Sequence, residues 1–88
     1  MTRFDFSLHA KYKFIFFKSH AVSIRQKDVI DVIRHGKITD IGELPKIEIT
    51  GAFDAKHSLV VIYRQTGTGY FIITFWIAEK GRYESKIQ

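Results

Sequence analysis

Hydrophobic residues recur at helical spacing in the first half of the chain and at alternate positions in the second. From Leu8 the apolar positions Leu8, Tyr12 and Ile15 follow one helix stripe, with Ala10, Phe14 and Phe17 on the adjoining stripe. Ser7 stands where a helix N-cap is expected. The aromatic run Lys11–Phe17 has strand-like content as well, but its spacing favours a helix. Before it, Arg3–Phe6 alternates and reads as a short strand or an extended lead-in. A second helix is predicted from Ile24 to His35: Ser23 to Gln26 reads as a capping box, and Val29, Val32 and Ile33 form a buried stripe widened by Ile30. Asp28 near its start and Arg34 and His35 near its end suit the helix dipole, and Gly36 is the expected C′ stop.

After Gly36 the period becomes two. Lys37–Ile41 and Lys46–Phe53 are candidate strands, and Ser58–Arg64 and Tyr70–Ile77 are stronger ones. Between the last two, Gln65–Gly69 reads as a hairpin loop whose glycines supply positive φ, so these strands pair antiparallel. The hairpin is apolar on both faces. Leu59, Val61 and Tyr63 alternate with Val60 and Ile62, and Phe71, Ile73, Phe75 and Ile77 alternate with Tyr70, Ile72 and Trp76. One face must carry the helices; the other is a binding surface or is covered by a partner. The expected fold is α+β, with two N-terminal helices on one face of an antiparallel sheet of three or four strands, and residues 1–88 form one domain.

Composition narrows the class. Hydrophobic residues make up 45% and aromatic residues 15% of the 88, enough for a real core, which argues against disorder. There is no Cys, whereas small secreted domains usually carry disulfides, so a cytoplasmic location is expected. Arg3, Asp5 and His9 interrupt the N-terminus where a signal peptide would be apolar, and Phe14–Phe17 and Tyr70–Ala78 are too short to span a bilayer. Fourteen basic against nine acidic residues give a net charge of +5, which favours RNA or an acidic protein as partner and says nothing about fold.

No zinc-type spacing links His9, His20, His35 and His57, and no phosphate-binding glycine loop precedes a helix, so neither metal nor cofactor is expected. The remaining residues suit metal-free RNA cleavage. RNA supplies its own nucleophile, the 2′-OH. A protein then needs a proton carrier, for which His serves near neutral pH, and cations on the phosphate. His9 lies one position off the apolar stripe with Lys13 one turn on; a lone His also reads as an ordinary surface residue. Arg64 ends an apolar strand and reads either as an edge charge or as a phosphate contact. Thr74, the single hydroxyl within Tyr70–Ile77, reads first as a β-branched strand residue. Lys80, Arg82 and Tyr83 follow the last strand, as a solvated tail or as a phosphate clamp with an aromatic stacker. His57 begins a strand and can face the same site; His20 and His35 are given no role.

Taken in order, these features resemble a family of small proteins. The helix opening Ser7-Leu8-His9-Ala10, the Asp28-Val29 pair of the second helix, a strand ending Tyr63-Arg64, and a last strand with Thr74 running into Lys80-Gly81-Arg82-Tyr83-Glu84 carry the resemblance over nearly the whole chain. That family is similar to the RelE-like toxins and is grouped with barnase, EndoU and colicin nucleases as metal-independent RNases. The resemblance implies two helices on one face of a curved antiparallel sheet, an active site on the exposed sheet face, and an acidic antitoxin as partner. Carried over by position, it implies His9, Arg64, Thr74 and Tyr83 as catalytic residues, with Arg82 on phosphate; Lys13 and Lys80, from the reading of the residues, are further expected contacts to RNA, which includes ribosome-bound mRNA. The sequence departs from the family pattern in the aromatic run Phe14–Phe17 and in lacking a Gly to open the second helix after His20. Competing expectations are a non-catalytic RNA- or protein-binding module, and a homodimer formed through the apolar sheet face.

Overall fold

The computed structural model describes residues 2–40 and 46–79. Its elements run β1 (Arg3–Phe6), α1 (Leu8–Ser19), α2 (Gln26–His35), β2 (Lys37–Asp40), β3 (Ile47–Ala52), β4 (His57–Gln65) and β5 (Gly69–Glu79). The strands form one open sheet in the order β1-β5-β4-β3-β2. Both helices pack against it and share one apolar cluster with Ile49, Leu59, Val61, Tyr63, Ile72 and Phe75. The fold is thus α+β, as the periodicity predicts.

The expected sheet of three or four antiparallel strands is corrected to five strands with mixed pairing. β2, β3, β4 and β5 are antiparallel neighbours, but β1 lies parallel to β5, with Arg3 opposite Gly69 and Phe6 opposite Ile72. A four-residue alternation carries no sign of a partner so distant in the chain. Stacked Phe4 and Tyr70 rings, 5.3 Å apart, hold the pair, and the exposed Arg3–Asp5 ion pair marks β1 as a sheet edge.

The β4–β5 hairpin forms with Val61 opposite Phe75 and Val60 opposite Trp76. Simple alternation along β5 fails at one point. Thr74 pairs with Ile62 and Ile72 with Tyr63, so Ile73 is an extra residue in a bulge. The bulge reverses the faces: Ile72 and Phe75 both enter the core although they differ in parity.

That bulge also receives α1. The Ser7 hydroxyl donates to the Ile73 carbonyl at 2.6 Å and accepts from the Ala10 amide at 2.9 Å, while the Ser7 amide donates to the Ile72 carbonyl. The expected cap is therefore also a tether to the sheet. Tethering sets the rotation of the helix. Ala10 is fully buried, and Phe14 and Phe17 lie with ring centroids 4.7 and 6.0 Å from Phe75. The other stripe faces outward: Leu8 is 84%, Tyr12 62% and Ile15 67% exposed. Both stripes are apolar, so sequence spacing alone does not choose between them.

α2 buries Val29, Val32 and Ile33 as predicted, against β3 and β4. Its cap lies two residues later than the predicted Ser23 box. Arg25 is the N-cap, and its amide donates to the Asp28 carboxylate at 2.8 Å. An arginine side chain has no acceptor, so only half a capping box forms. Two glycine roles also change. Gly36 ends α2 with an extended backbone, and a Cβ there would meet the carbonyls of Val32 and Thr50 at 2.5 and 2.7 Å. Neither Gly67 nor Gly69 takes a φ in the left-handed region, and a Cβ on Gly69 would collide with the Arg3 backbone. Close approach of β1, not turn geometry, requires Gly69.

Among the described residues no helix is long and apolar enough to cross a membrane, which says nothing about β-barrels.

Candidate active site

The tight β3–β4 turn is built around Asp54. The amides of Phe53 and Asp54 both donate to the His57 carbonyl, at 3.1 and 3.2 Å. Asp54 Oδ1 accepts from the amides of Lys56 and His57, each at 2.8 Å. An aspartate that accepts from the backbone two and three residues on is a common way to close a turn. Here the carboxylate does one thing more. The His57 Nδ1 lies 3.0 Å from Asp54 Oδ1 and 3.1 Å from Oδ2. A carboxylate only accepts, so Nδ1 carries the hydrogen and Nε2 is left as the acceptor of neutral His57.

The Lys56 amide first, and then the His57 ring and amide, hold the Asp54 carboxyl below its usual range. The Asp54–His57 pair is roughly half exposed, so its geometry matters more than its contribution to stability.

His57 opens on a cleft of about 320 Å³ between this turn and the α1–α2 connection. Val22, Phe53 and Ile77 form apolar walls, and Ser23, Asp54 and His57 supply polar groups. Ala21, also on the lining, has φ of 62°, the single non-glycine positive φ among the described residues. It ends α1: the Ala21 amide donates to the Lys18 carbonyl, and the Val22 amide to the Phe17 carbonyl. This is the αL helix ending at which glycine is common. In register, His57 pairs with Glu79, after which the sequence continues into Lys80.

His9, by contrast, is exposed on the first turn of α1. It lines a hollow of about 230 Å³ with Tyr12, Lys13 and Phe16. His9 and Lys13 are thus brought together. The Lys13 ammonium sits 5.5 Å from the Phe17 ring centroid, and burial lowers its pKa. The two histidines lie toward opposite ends of α1, and twelve residues of helix span about 18 Å. They do not share a site.

Arg64 is exposed and lies over Phe71, its guanidinium carbon 5.0 Å from the ring centroid. It follows core-facing Tyr63, so it points to the sheet face away from α1 and His9. Thr74 lies on that same outer face, opposite Ile62. Its hydroxyl oxygen is shielded from solvent and hydrogen-bonds to no described residue. The structure therefore places Arg64 and Thr74 on one face and His9 with Lys13 on the other layer. Lys80, Arg82 and Tyr83 lie outside the described residues.

Among the described residues no three His, Asp or Glu side chains cluster as a metal site would require. His20 caps its own helix, donating Nδ1–H to the Phe16 carbonyl at 2.9 Å. The residue that sequence reasoning missed is Asp54. Its signal was present: Asp54-Ala55-Lys56-His57 joins two strands, and an aspartate opening such a turn has its carboxylate within reach of the third residue on. Compared with known proteins, the chain matches no family model, no curated protein and no solved structure.

Proposed function

We propose that this protein is a metal-independent endoribonuclease, the toxin of a RelE-like toxin–antitoxin pair, with His57 as its proton-transfer residue. The observation that carries the reading is the Asp54–His57 pair, which fixes the imidazole tautomer beside an open cleft. In the reaction, His57 Nε2 takes the proton of a ribose 2′-OH. The 2′-oxygen attacks phosphorus, and the P–O5′ bond breaks. The resulting imidazolium, or Tyr83 from the following segment, returns a proton to the departing 5′-oxygen. The products are a 2′,3′-cyclic phosphate and a 5′-OH. Lys56, Lys80 and Arg82, close to His57 and Glu79 in sequence, are the cations proposed to hold the phosphate. The net charge of +5 supports RNA as substrate and an acidic antitoxin as inhibitor.

The rival assignment, His9 with Arg64 and Thr74, requires groups that stand on opposite sides of the sheet. One assay separates the two. Purified protein is incubated with free RNA in EDTA, or with ribosome-bound RNA in magnesium, and the ends are analysed. His57→Ala is expected to lose about 10²–10⁴-fold in rate. Asp54→Asn keeps the turn acceptor but can present an N–H to Nδ1, favouring the wrong tautomer, and is expected to show a substantial loss. Full activity in His57→Ala with loss in His9→Ala would return the site to His9. A wild type that cleaves nothing, yet binds RNA with a steep salt dependence, would be a binding module instead.

A further inference from the structure

Of the five large exposed apolar side chains among the described residues, all but Ile38 on β2 are gathered on α1, and none is on the outer face of the β4–β5 hairpin. Leu8, Tyr12, Ile15 and Phe16 are 84, 62, 67 and 41% exposed. At about 3.6 residues per turn, Leu8, Tyr12 and Ile15 form one straight row on the side of the helix opposite Ala10 and Phe17. Lys11 and Lys18 flank this row on one side and His9 and Lys13 on the other. The helix carries no acidic residue. Each flank has a hollow beside it. One is the 230 Å³ depression lined by His9, Tyr12, Lys13 and Phe16. The other, about 260 Å³, runs from Phe14, Ile15 and Lys18 to Ser23, Ile24 and Arg25 at the start of α2.

We propose that this face docks an acidic amphipathic helix of a protein partner. Apolar anchors at i, i+3 or i+4, and i+7 of the incoming helix would fill the two hollows on either side of Ile15, as in helix-in-groove recognition. Its acidic flanks would meet Lys11, Lys13, Lys18 and Arg25. Charge selects the occupant. A second copy would set one lysine-flanked row against another, with no acidic side chain on either helix to compensate. RNA would satisfy the lysines but leave Leu8 and Ile15 uncovered. A lipid surface suits a broad convex apolar face, whereas this row is narrow and bordered by concavities shaped for side chains. The proposal shares with the proposed function only the acidic protein partner. It does not depend on His57 or on catalysis.

The probe is a fluorescein-labelled synthetic peptide of about 16 residues, with Leu at the i, i+3, i+4 and i+7 positions of each two turns and Glu elsewhere. Anisotropy titration against the full-length protein is expected to saturate, and to weaken as salt rises. A shuffled peptide of the same composition is expected to bind at least tenfold less well. Tyr12→Ser and Ile15→Ser, both at exposed positions, should keep the wild-type circular dichroism and melting temperature and lose at least tenfold in peptide affinity. His57→Ala should bind the peptide as wild type does, which separates this result from the fate of the nuclease reading. Equal binding of the shuffled peptide, or full affinity in Ile15→Ser, would overturn the proposal. So would co-sedimentation with phosphatidylserine vesicles without peptide binding, which assigns the face to membrane. A dimer that Ile15→Ser dissociates in sedimentation equilibrium would overturn it in favour of a second copy.

Discussion

Replacing Thr74 with Val should stabilise this protein. The Thr74 hydroxyl oxygen is shielded from solvent on the outer face of β5 and has no hydrogen-bond partner among the described residues. In the unfolded chain that hydroxyl binds water. Leaving such a group buried and unsatisfied costs about 1–3 kcal/mol. Val keeps the β-branched shape that suits a strand and replaces the hydroxyl with a methyl, which adds up to about 0.8 kcal/mol of burial. A gain of about 1–2 kcal/mol is expected, taking the lower part of the hydroxyl range. For a domain of this size each kcal/mol moves Tm by about 4–8 °C, so Tm should rise by roughly 5–15 °C. The assay is urea unfolding followed by the fluorescence of Trp76, the single tryptophan, two residues from the change. With a slope of about 1–3 kcal/mol/M, the midpoint should move up by about 0.3–2 M at an unchanged slope. Thr74→Ser is the control: it keeps the hydroxyl, loses a methyl, and should destabilise. If Thr74→Val unfolds at the wild-type midpoint or below it, the hydroxyl is satisfied in solution and the reasoning fails.

Other expectations follow from the same geometry. Ile33→Asp places a charge in the core between α2 and the sheet, where Ile33 is 8% exposed, and should cost roughly 3 kcal/mol or more; an unchanged melting curve would refute the packing of α2. Ala21→Gly relieves a positive φ that costs a non-glycine residue about 1–2 kcal/mol, less the greater chain entropy of glycine when unfolded; a net gain of about 0.5–1 kcal/mol should appear as a higher Tm, and a lower one would refute the strain. Because the folded Asp54 carboxyl titrates below its ordinary range, its bonds in the β3–β4 turn are fully present above that range and are lost as pH falls through the depressed value. A carboxyl carbon NMR titration should therefore show a midpoint below that of an unperturbed aspartate; one at or above it would mean that the turn bonds do not hold the charge.

Much of the candidate site was hidden from sequence for a geometric reason. His9, Arg64 and Thr74 each stand out by residue type, but grouping them assumes that one sheet face gathers them. Arg64 and Thr74 do lie on a common face, whereas His9 rides on a helix across the sheet from them. Asp54, which no motif names, becomes the partner of His57 because the turn brings its carboxylate to within 3.0 Å of Nδ1. That pairing is local, and Asp54-Ala55-Lys56-His57 between two strands was open to being read. The cleft beside it was not, since Val22 and Ile77 meet there from distant parts of the chain.

The sequence by itself determined the element types: two helices from the 3.6-residue recurrence and the β4–β5 hairpin from alternation on either side of a turn. It also determined the buried stripe of α2, whose opposite face is polar enough to leave one solution. Three features were decided only by tertiary structure. β1 pairs parallel to β5 because its partner lies at the far end of the chain, and strand pairing is an interaction that local pattern does not encode. The bulge at Ile73 brings both Ile72 and Phe75 to the core, a change of face that strict alternation forbids. α1 could have buried either apolar stripe. The Ser7 bonds to the Ile72 and Ile73 carbonyls, with Phe14 and Phe17 seated on Phe75, turned Leu8, Tyr12 and Ile15 to solvent, because a helix anchored at its first residue has only one rotation that satisfies both its cap and its core.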